Sequence, residues 1–292
     1  MKKVPPNRGV PPEDAEYLLS RNSKPVKLVR EVGTSLAYVA GVILGDGYLS
    51  SDGYNLSVTF DDPDYMNSFT SAMSEFLPES APRIKDNGTS TVVTYGSRIF
   101  NEMLSRIFGI PRGKKSSIWD VPDVVLTNDD LMRYFIAGLF DADGSVDETG
   151  PAVILTTKSE SAARKIWYAL QRLGIISTVS RVRNRGFKEG HIFRVIVSGV
   201  EDLKKFDALI PLSHSRKREK LKAILKEKRP YRGRYTYRVP ISPEMIKPLR
   251  TRLNLTVAEL SKLASKYAGE TITESLIRHV EKQNVRDKAL SA

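Results

Sequence analysis

The chain contains no cysteine, which excludes disulfides and thiolate metal sites. Its histidines are only three, His191, His214 and His279, a poor basis for a zinc site, so a catalytic metal here would be held by oxygen. No apolar run reaches the length of a membrane span, and the start Met1-Lys2-Lys3-Val4-Pro5-Pro6 lacks the apolar stretch of a signal peptide. A cytoplasmic protein with no membrane partner is expected. What the chain has in excess is positive charge: 46 Lys and Arg against 34 Asp and Glu give a net +12 and, over 292 residues, room for two or three domains. An anionic polymer, most naturally a nucleic acid, is the expected partner.

Two short segments repeat each other. Val39-Ala40-Gly41-Val42-Ile43-Leu44-Gly45-Asp46-Gly47 and Ile136-Ala137-Gly138-Leu139-Phe140-Asp141-Ala142-Asp143-Gly144 both run apolar into an acid and a glycine, 143 − 46 = 97 positions apart. Each is apolar nearly all round, as expected of a helix buried between two bodies. Gly41 with Gly45, and Gly138 with Ala142, place small residues one turn apart, so the two helices can meet backbone to backbone. Gly47 and Gly144 are expected to take the left-handed position that ends a helix. Asp46 and Asp143 then sit at the negative pole of the helix dipole, an unfavourable place for a carboxylate. The same cost incurred twice points to function, most simply a shared divalent cation.

These residues resemble the LAGLIDADG motif, and two copies in one chain resemble a monomeric LAGLIDADG homing endonuclease. The second copy matches closely; in the first, Leu44 stands where the family has its first acid and Gly45 where it has alanine. The resemblance implies an α+β fold over about residues 34–230: two pseudo-symmetric αββαββα halves, 34–127 and 128–230, that form a DNA-binding saddle. It also implies metal binding by Asp46 and Asp143 with main-chain carbonyls near Gly45 and Ala142, Mg2+ as cofactor with Mn2+ as substitute, and a monomer. The implied product is a double-strand break with short 3′ overhangs in a long asymmetric site. A lysine before the second motif, Lys115, and a second-half counterpart, Lys217, match catalytic positions, with Lys114 and Lys220 as close rivals; Lys158 resembles a basic position used by other members, and Lys114 and Lys158 are expected to contact DNA.

The pattern of elements agrees. The first half reads as strand 54–60, helix 64–76, a hairpin of 83–85 and 90–95, and helix 98–108. The second reads as strand 152–156, helix 159–173, strands 178–184 and 191–198, and helices 200–209 and 215–228, with an early strand after each motif. Residues 1–33, rich in proline and charge, read as an extended arm or irregular lead-in. In the second hairpin Arg181, Arg183 and Arg185 alternate with Val182, which suggests one basic face and one oily face, with Arg194 joining the basic side. Arg83, Lys85 and Tyr95 do the same in the first half. Such ribbons suit a major groove, where arginine pairs with guanine and other groups hold phosphate.

Past residue 230 the pattern changes. Residues 231–240 interleave arginine with tyrosine, and Arg232 and Arg234 suit a linker lying on a phosphate backbone. Residues 241–292 read as three short helices at 243–252, 257–265 and 273–282 around an apolar core of Leu249, Leu253, Leu260, Leu263, Leu276, Ile277 and Val280. This segment resembles a repressor-type helix-turn-helix, with Glu274, Ser275 and Arg278 facing the groove. Two alternatives to endonuclease activity stand beside it: an RNA maturase acting on intron RNA, and a non-cleaving transcription regulator. The regulator gains from the helical segment and loses from two repelling carboxylates that a pure binder has no use for. No flanking protein-splicing elements are seen, so a free-standing chain is expected.

Overall fold

A computed structural model describes residues 3–4, 15–19, 24–113, 118–183, 191–226, 243–268 and 272–282. Lys114, Lys115, Arg185, Arg232 and Arg234 and the linker 231–240 lie outside the described residues. The chain divides into two compact units, 1–234 and 235–292.

Unit one is built on two long helices, α1 (Thr34–Gly45) and α4 (Asp129–Asp143), which pack against each other. Both are apolar on almost every face because both are buried on almost every face: Leu36 to Leu44 and Leu131 to Asp141 are largely out of solvent. Asn128 starts α4, its side-chain oxygen accepting the Asp130 N–H at 2.7 Å. Glycine makes the contact possible. A Cβ built on Gly41 would lie 2.2 Å from the Phe135 carbonyl oxygen, and one on Gly138 would lie 2.2 Å from the Tyr38 carbonyl oxygen.

After α1 come β4 (Gly47–Leu49), β5 (Asn55–Phe60), α2 (Pro63–Phe76), β6 (Arg83–Asp86), β7 (Thr91–Gly96) and α3 (Arg98–Phe108). After α4 come β8 (Gly144–Asp147), β9 (Ala152–Thr157), α5 (Glu160–Arg172), β10 (Ser177–Arg183), β11 (His191–Ser198), α6 (Val200–Leu209) and α7 (Ser215–Lys226). Each half holds one antiparallel four-stranded sheet, in the orders β4-β5-β7-β6 and β8-β9-β11-β10. Two αββαββα halves are therefore present, with α7 added after the second. Asp62, Ser97 and Ser159 cap α2, α3 and α5 by accepting from the backbone N–H three residues on.

Two expectations about backbone are corrected. Gly47 is absent from the left-handed conformations, and Gly144 is extended at φ −75°, ψ 151°. Both motif glycines begin a strand directly. They are glycine because a Cβ would fall 2.7 Å from the Ile43 carbonyl oxygen at Gly47 and 2.5 Å from that of Phe140 at Gly144. The lead-in, expected as an extended arm or irregular segment, pairs the short strands β1 (Lys3–Val4), β2 (Tyr17–Leu18) and β3 (Val26–Lys27) into a small sheet. Val26 there is fully buried in the main core, which supplies the reason: the segment has an apolar anchor.

Unit two consists of α8 (Pro243–Arg252), α9 (Val257–Ala268) and α10 (Glu274–Lys282). The expected apolar core is corrected at three residues: Leu249, Leu253 and Leu263 are 48%, 65% and 43% exposed, while Leu260 and Ile277 are half-buried. Polar contacts also tie the helices. Arg250 donates to both Glu281 carboxylate oxygens, at 2.6 and 3.0 Å, and to the Leu255 carbonyl at 2.9 Å. Ser265 accepts the Ile272 N–H at 2.8 Å, and Thr256 and Glu259 form a reciprocal capping box. The side chains of Leu276 and Val280 lie outside the described residues.

Candidate metal centre and nucleic-acid interface

The close helix pair brings both motif acids to one end. A Cβ on Gly45 would meet that of Ala142 at 2.3 Å and would stand 3.5 Å from Asp143 Oδ2. Asp46 and Asp143 are both exposed there, and Asp46 ends α1 with its N–H donating to the Val42 and Ile43 carbonyls. Among the described residues no group of three or more His, Cys, Asp or Glu is arranged to hold a metal. Two neighbouring carboxylates at a solvent-facing position fit a hard cation that keeps several waters and takes its remaining ligands from a phosphate, which is the way magnesium is held. Any such ion would rest on Asp46 and Asp143.

Lys217, on the first turns of α7, reaches this end from the side. Its Nζ donates to the carbonyls of Phe140, Asp141 and Ala142 at 3.0, 2.6 and 2.9 Å. Those are last-turn carbonyls of α4, so the ammonium answers the helix terminus that the two carboxylates aggravate. Burial pushes its pKa down, against the opposing pull of Asp141, Asp46, Asp61 and Asp143. The Ala142 carbonyl, expected on the metal, thus already accepts from Lys217. Lys220 pairs with Glu148 at 3.0 Å, and Lys158 is exposed just past β9.

A polar clasp that the sequence did not suggest holds α7 in place. Asp141 is 1% exposed and accepts from the Tyr38 hydroxyl at 2.9 Å and from the Ser213 and His214 N–H groups at 2.9 and 3.0 Å. Burial raises its pKa, against these donors. Asp62, from the other half, accepts from the Ser215 N–H at 3.2 Å and hydroxyl at 2.5 Å; although burial opposes it, these bonds and the Tyr65 N–H hold its carboxyl down to about 2. Arg216 binds the Asp61 carboxylate at 2.7 Å. His214 lies between Asp61 and Asp62 at 3.1 and 3.3 Å and stacks on Tyr65 with ring centroids 5.9 Å apart. Burial and then Lys217 lower its pKa, against the two aspartates. The Tyr65 hydroxyl is buried without a hydrogen-bond partner among the described residues.

The sheets correct two expectations about the interface. Directly paired residues share a face, and register therefore decides which side chains face together. In the first half Arg83 pairs with Thr94 and through it Ser57 and Tyr48, while Lys85 pairs with Val92 and Thr59. That face carries Arg83, Lys85 and an exposed Tyr48, none of them buried. Tyr95 pairs with Leu56 on the opposite face and is 4% exposed, packed edge-on to Phe69, so it belongs to the core. In the second half Arg181 pairs with Phe193 and Arg183 with His191, on the face that buries Val195 and Val197. Arg194 pairs with Ser180 and Thr156 on the other face, together with Val182. Arg181 and Arg183 are exposed only because they stand at the hairpin end, and they do not share a face with Arg194. In unit two Glu274, Ser275 and Arg278 are exposed, with Arg278 paired to Glu274 at 3.3 Å.

Comparison with known proteins agrees with this division. A LAGLIDADG-like domain model matches residues 130–211, and a WhiA LAGLIDADG-like domain model matches residues 35–109. A LAGLIDADG-like domain match thus falls in each of the two αββαββα halves. The replication factor C small subunit of Thermococcus kodakarensis is 27% identical over 247 residues, 84% of this chain and 27% of that protein. The protein of the same name from Methanocaldococcus jannaschii is 24% identical over 250 residues, 85% of this chain and 12% of its own length. The chain spans about a quarter or less of the length of these relatives. Among solved structures, mesophilic variants of the homing endonuclease I-DmoI are similar with a TM-score of 0.47 and 16% identity, covering 61% of this chain and 95% of that one. Full-length DUF199/WhiA from Thermatoga maritima is similar with a TM-score of 0.46 and 13% identity, covering 88% and 93%. No helix among the described residues is long and apolar enough to cross a membrane.

Proposed function

We propose that this chain is a divalent-metal-dependent endonuclease that hydrolyses both strands of duplex DNA at a long asymmetric site. The observation that carries the reading is the meeting of Asp46 and Asp143 at the exposed ends of a glycine-packed helix pair, with the Lys217 ammonium on the carbonyls beside them. Carboxylates at helix C-termini face the negative poles of the helix dipoles, and a cation between them would relieve both charges. A bound magnesium ion supplies relief of negative charge on the phosphoryl oxygens and on the departing 3′ oxygen. The chain's own part is to hold that ion between the two halves, to offset charge through Lys217, and to seat the duplex through Arg83, Lys85 and Arg194. The curated relatives support a separable activity: they include a replication factor, an aminotransferase and an ATP synthase subunit, each matched over a fraction of its length. A segment shared among proteins so unlike is not the source of what their names describe.

A second reading, a non-cleaving DNA-binding regulator, is favoured by the WhiA-type match over residues 35–109 and by the three helices of unit two. Magnesium-dependent cleavage of a genomic DNA library, run beside an Asp46→Asn/Asp143→Asn double variant, separates the two. Specific breaks with short 3′ overhangs that the variant does not make support the endonuclease; tight binding without breaks supports the regulator.

A further inference from the structure

The two halves share their helices but not the polar residues that join each to the segment following the other. With the 97-residue offset, Tyr38 corresponds to Phe135, Asp141 to Leu44, Tyr65 to Ala162, Asp61 to Lys158 and Asp62 to Ser159. Tyr38 and Asp141 come from opposite halves and are hydrogen-bonded; their counterparts Phe135 and Leu44 are both apolar and each 1% exposed. The exchange is matched at both partners, because where leucine replaces the acid, phenylalanine replaces the hydroxyl. Leu44 also shows that this helix pair accommodates an apolar residue here. Helix packing therefore does not require the buried Asp141 carboxylate, which costs free energy unless its donors are in place.

What the carboxylate does is fix the approach to α7. It accepts the Ser213 and His214 N–H groups, Asp62 takes the Ser215 N–H, and two residues further on Lys217 lays its Nζ on three carbonyls at the end of α4. We propose that Tyr38 and Asp141 are a positioning pair, without a counterpart among the described residues on the other side of the pseudo-twofold, that holds the Lys217 ammonium at the ends of the motif helices, so that one of the two strand cuts depends on it. The strand dependence rests on the endonuclease reading; the positioning does not.

The test is the Tyr38→Phe/Asp141→Leu double variant of the full chain, which copies the Phe135 and Leu44 pair that the fold already contains. Lysine acetylation read residue by residue by mass spectrometry reports the position of Lys217 without DNA, with the half-exposed Lys220 as internal standard. In the wild type Lys217 is expected to label about tenfold more slowly than Lys220, and in the double variant within about twofold of it, since protection follows the stability of the local contacts. Asp141→Asn, which keeps the shape but loses one acceptor oxygen, is expected to fall between and serves if the double variant does not fold. On supercoiled plasmid the double variant should accumulate nicked circles, with the cut on one strand slowed about tenfold or more and the other unchanged. Lys217 protection that persists in the variants, or equal slowing of both strands, overturns the proposal. A wild type that cuts neither strand removes the endonuclease reading alone, and the labelling still decides the positioning.

Discussion

Gly41 and Gly138 offer the sharpest test of the helix pair on which the site is built. An alanine at position 41 would bring its Cβ to 2.2 Å from the Phe135 carbonyl oxygen and 2.9 Å from the Leu139 nitrogen; an alanine at 138 would meet Tyr38 O at 2.2 Å and Val42 N at 2.9 Å. The obstructing atoms are backbone, so no rotamer change relieves them, and the helices must part by about 1 Å to restore ordinary contact. A gap of that size forfeits a quarter to a half of each affected dispersion well. Overpacking that side chains can absorb costs about 1–3 kcal/mol, so each glycine replacement is expected at or above that upper end, about 3–5 kcal/mol. Gly96→Ala, whose Cβ would have its nearest neighbour at 3.9 Å, is the control and should cost about 1 kcal/mol or less. The two replacements share one interface, so the double variant should cost less than the sum: once the helices have parted for the first methyl, the second finds room. Urea unfolding of the full chain with unchanged m-values measures all four variants. A Gly41→Ala cost below about 1 kcal/mol, or simple additivity, would refute the backbone contact.

The remaining predictions concern charge, interface and the second unit. Asp62, held to about 2 against an ordinary 3.8, stabilises the fold above pH 4, and the contribution is lost as pH falls through about 2; Asp62→Asn should therefore cost up to about 2 kcal/mol in urea unfolding at pH 7 and close to nothing near pH 2, and an equal cost at both would sink the assignment. His214 runs the other way in charge but in the same direction with pH: its lowered pKa means that the unfolded chain binds the proton more readily, so stability should fall as pH drops below about 6.5, and His214→Gln should flatten that slope. Arg83→Ala and Lys85→Ala should each reduce the slope of log affinity for duplex DNA against log salt by about 1, whereas Tyr95→Phe, altering a core face, should leave the slope alone; a changed slope for Tyr95→Phe would return that residue to the interface. Thr256→Ala removes the capping box of α9 and should cost about 1 kcal/mol locally, seen as faster amide exchange in α9 with the exchange of α1 and α4 unchanged.

Most elements of the two αββαββα halves were legible in the chain to within a residue or two because each signal was local. Asp86-Asn87-Gly88 marked a hairpin, and the helix at Arg98–Phe108 ran between a capping serine and a left-handed glycine, Gly109. What a single strand cannot reveal is register. Alternation correctly separated Phe193, Val195 and Val197 from Arg194, but only the pairing of Arg181 with Phe193 shows that this arginine lies on the oily side of the sheet. Tyr95 failed for the same reason. The motif glycines were misread in a different way: a left-handed φ and a close backbone approach both select glycine, and the residue itself does not say which demand is being met.

The clasp lay further out of reach, since Tyr38 and Asp141 are 103 positions apart and Asp62 and Ser215 are 153 apart. No local periodicity joins residues at such separations. One signal was nevertheless available. Laying the halves over each other at 97 positions sets Tyr38 against Phe135 and Asp141 against Leu44, so that two departures from symmetry fall at residues on opposite helices. Taken one at a time, Leu44 is a tolerated variation in a motif and Tyr38 an ordinary buried aromatic. Taken together, they are a polar pair on one side and an apolar pair on the other, which is the pattern expected when a duplicated fold keeps its packing and gives its two ends different work.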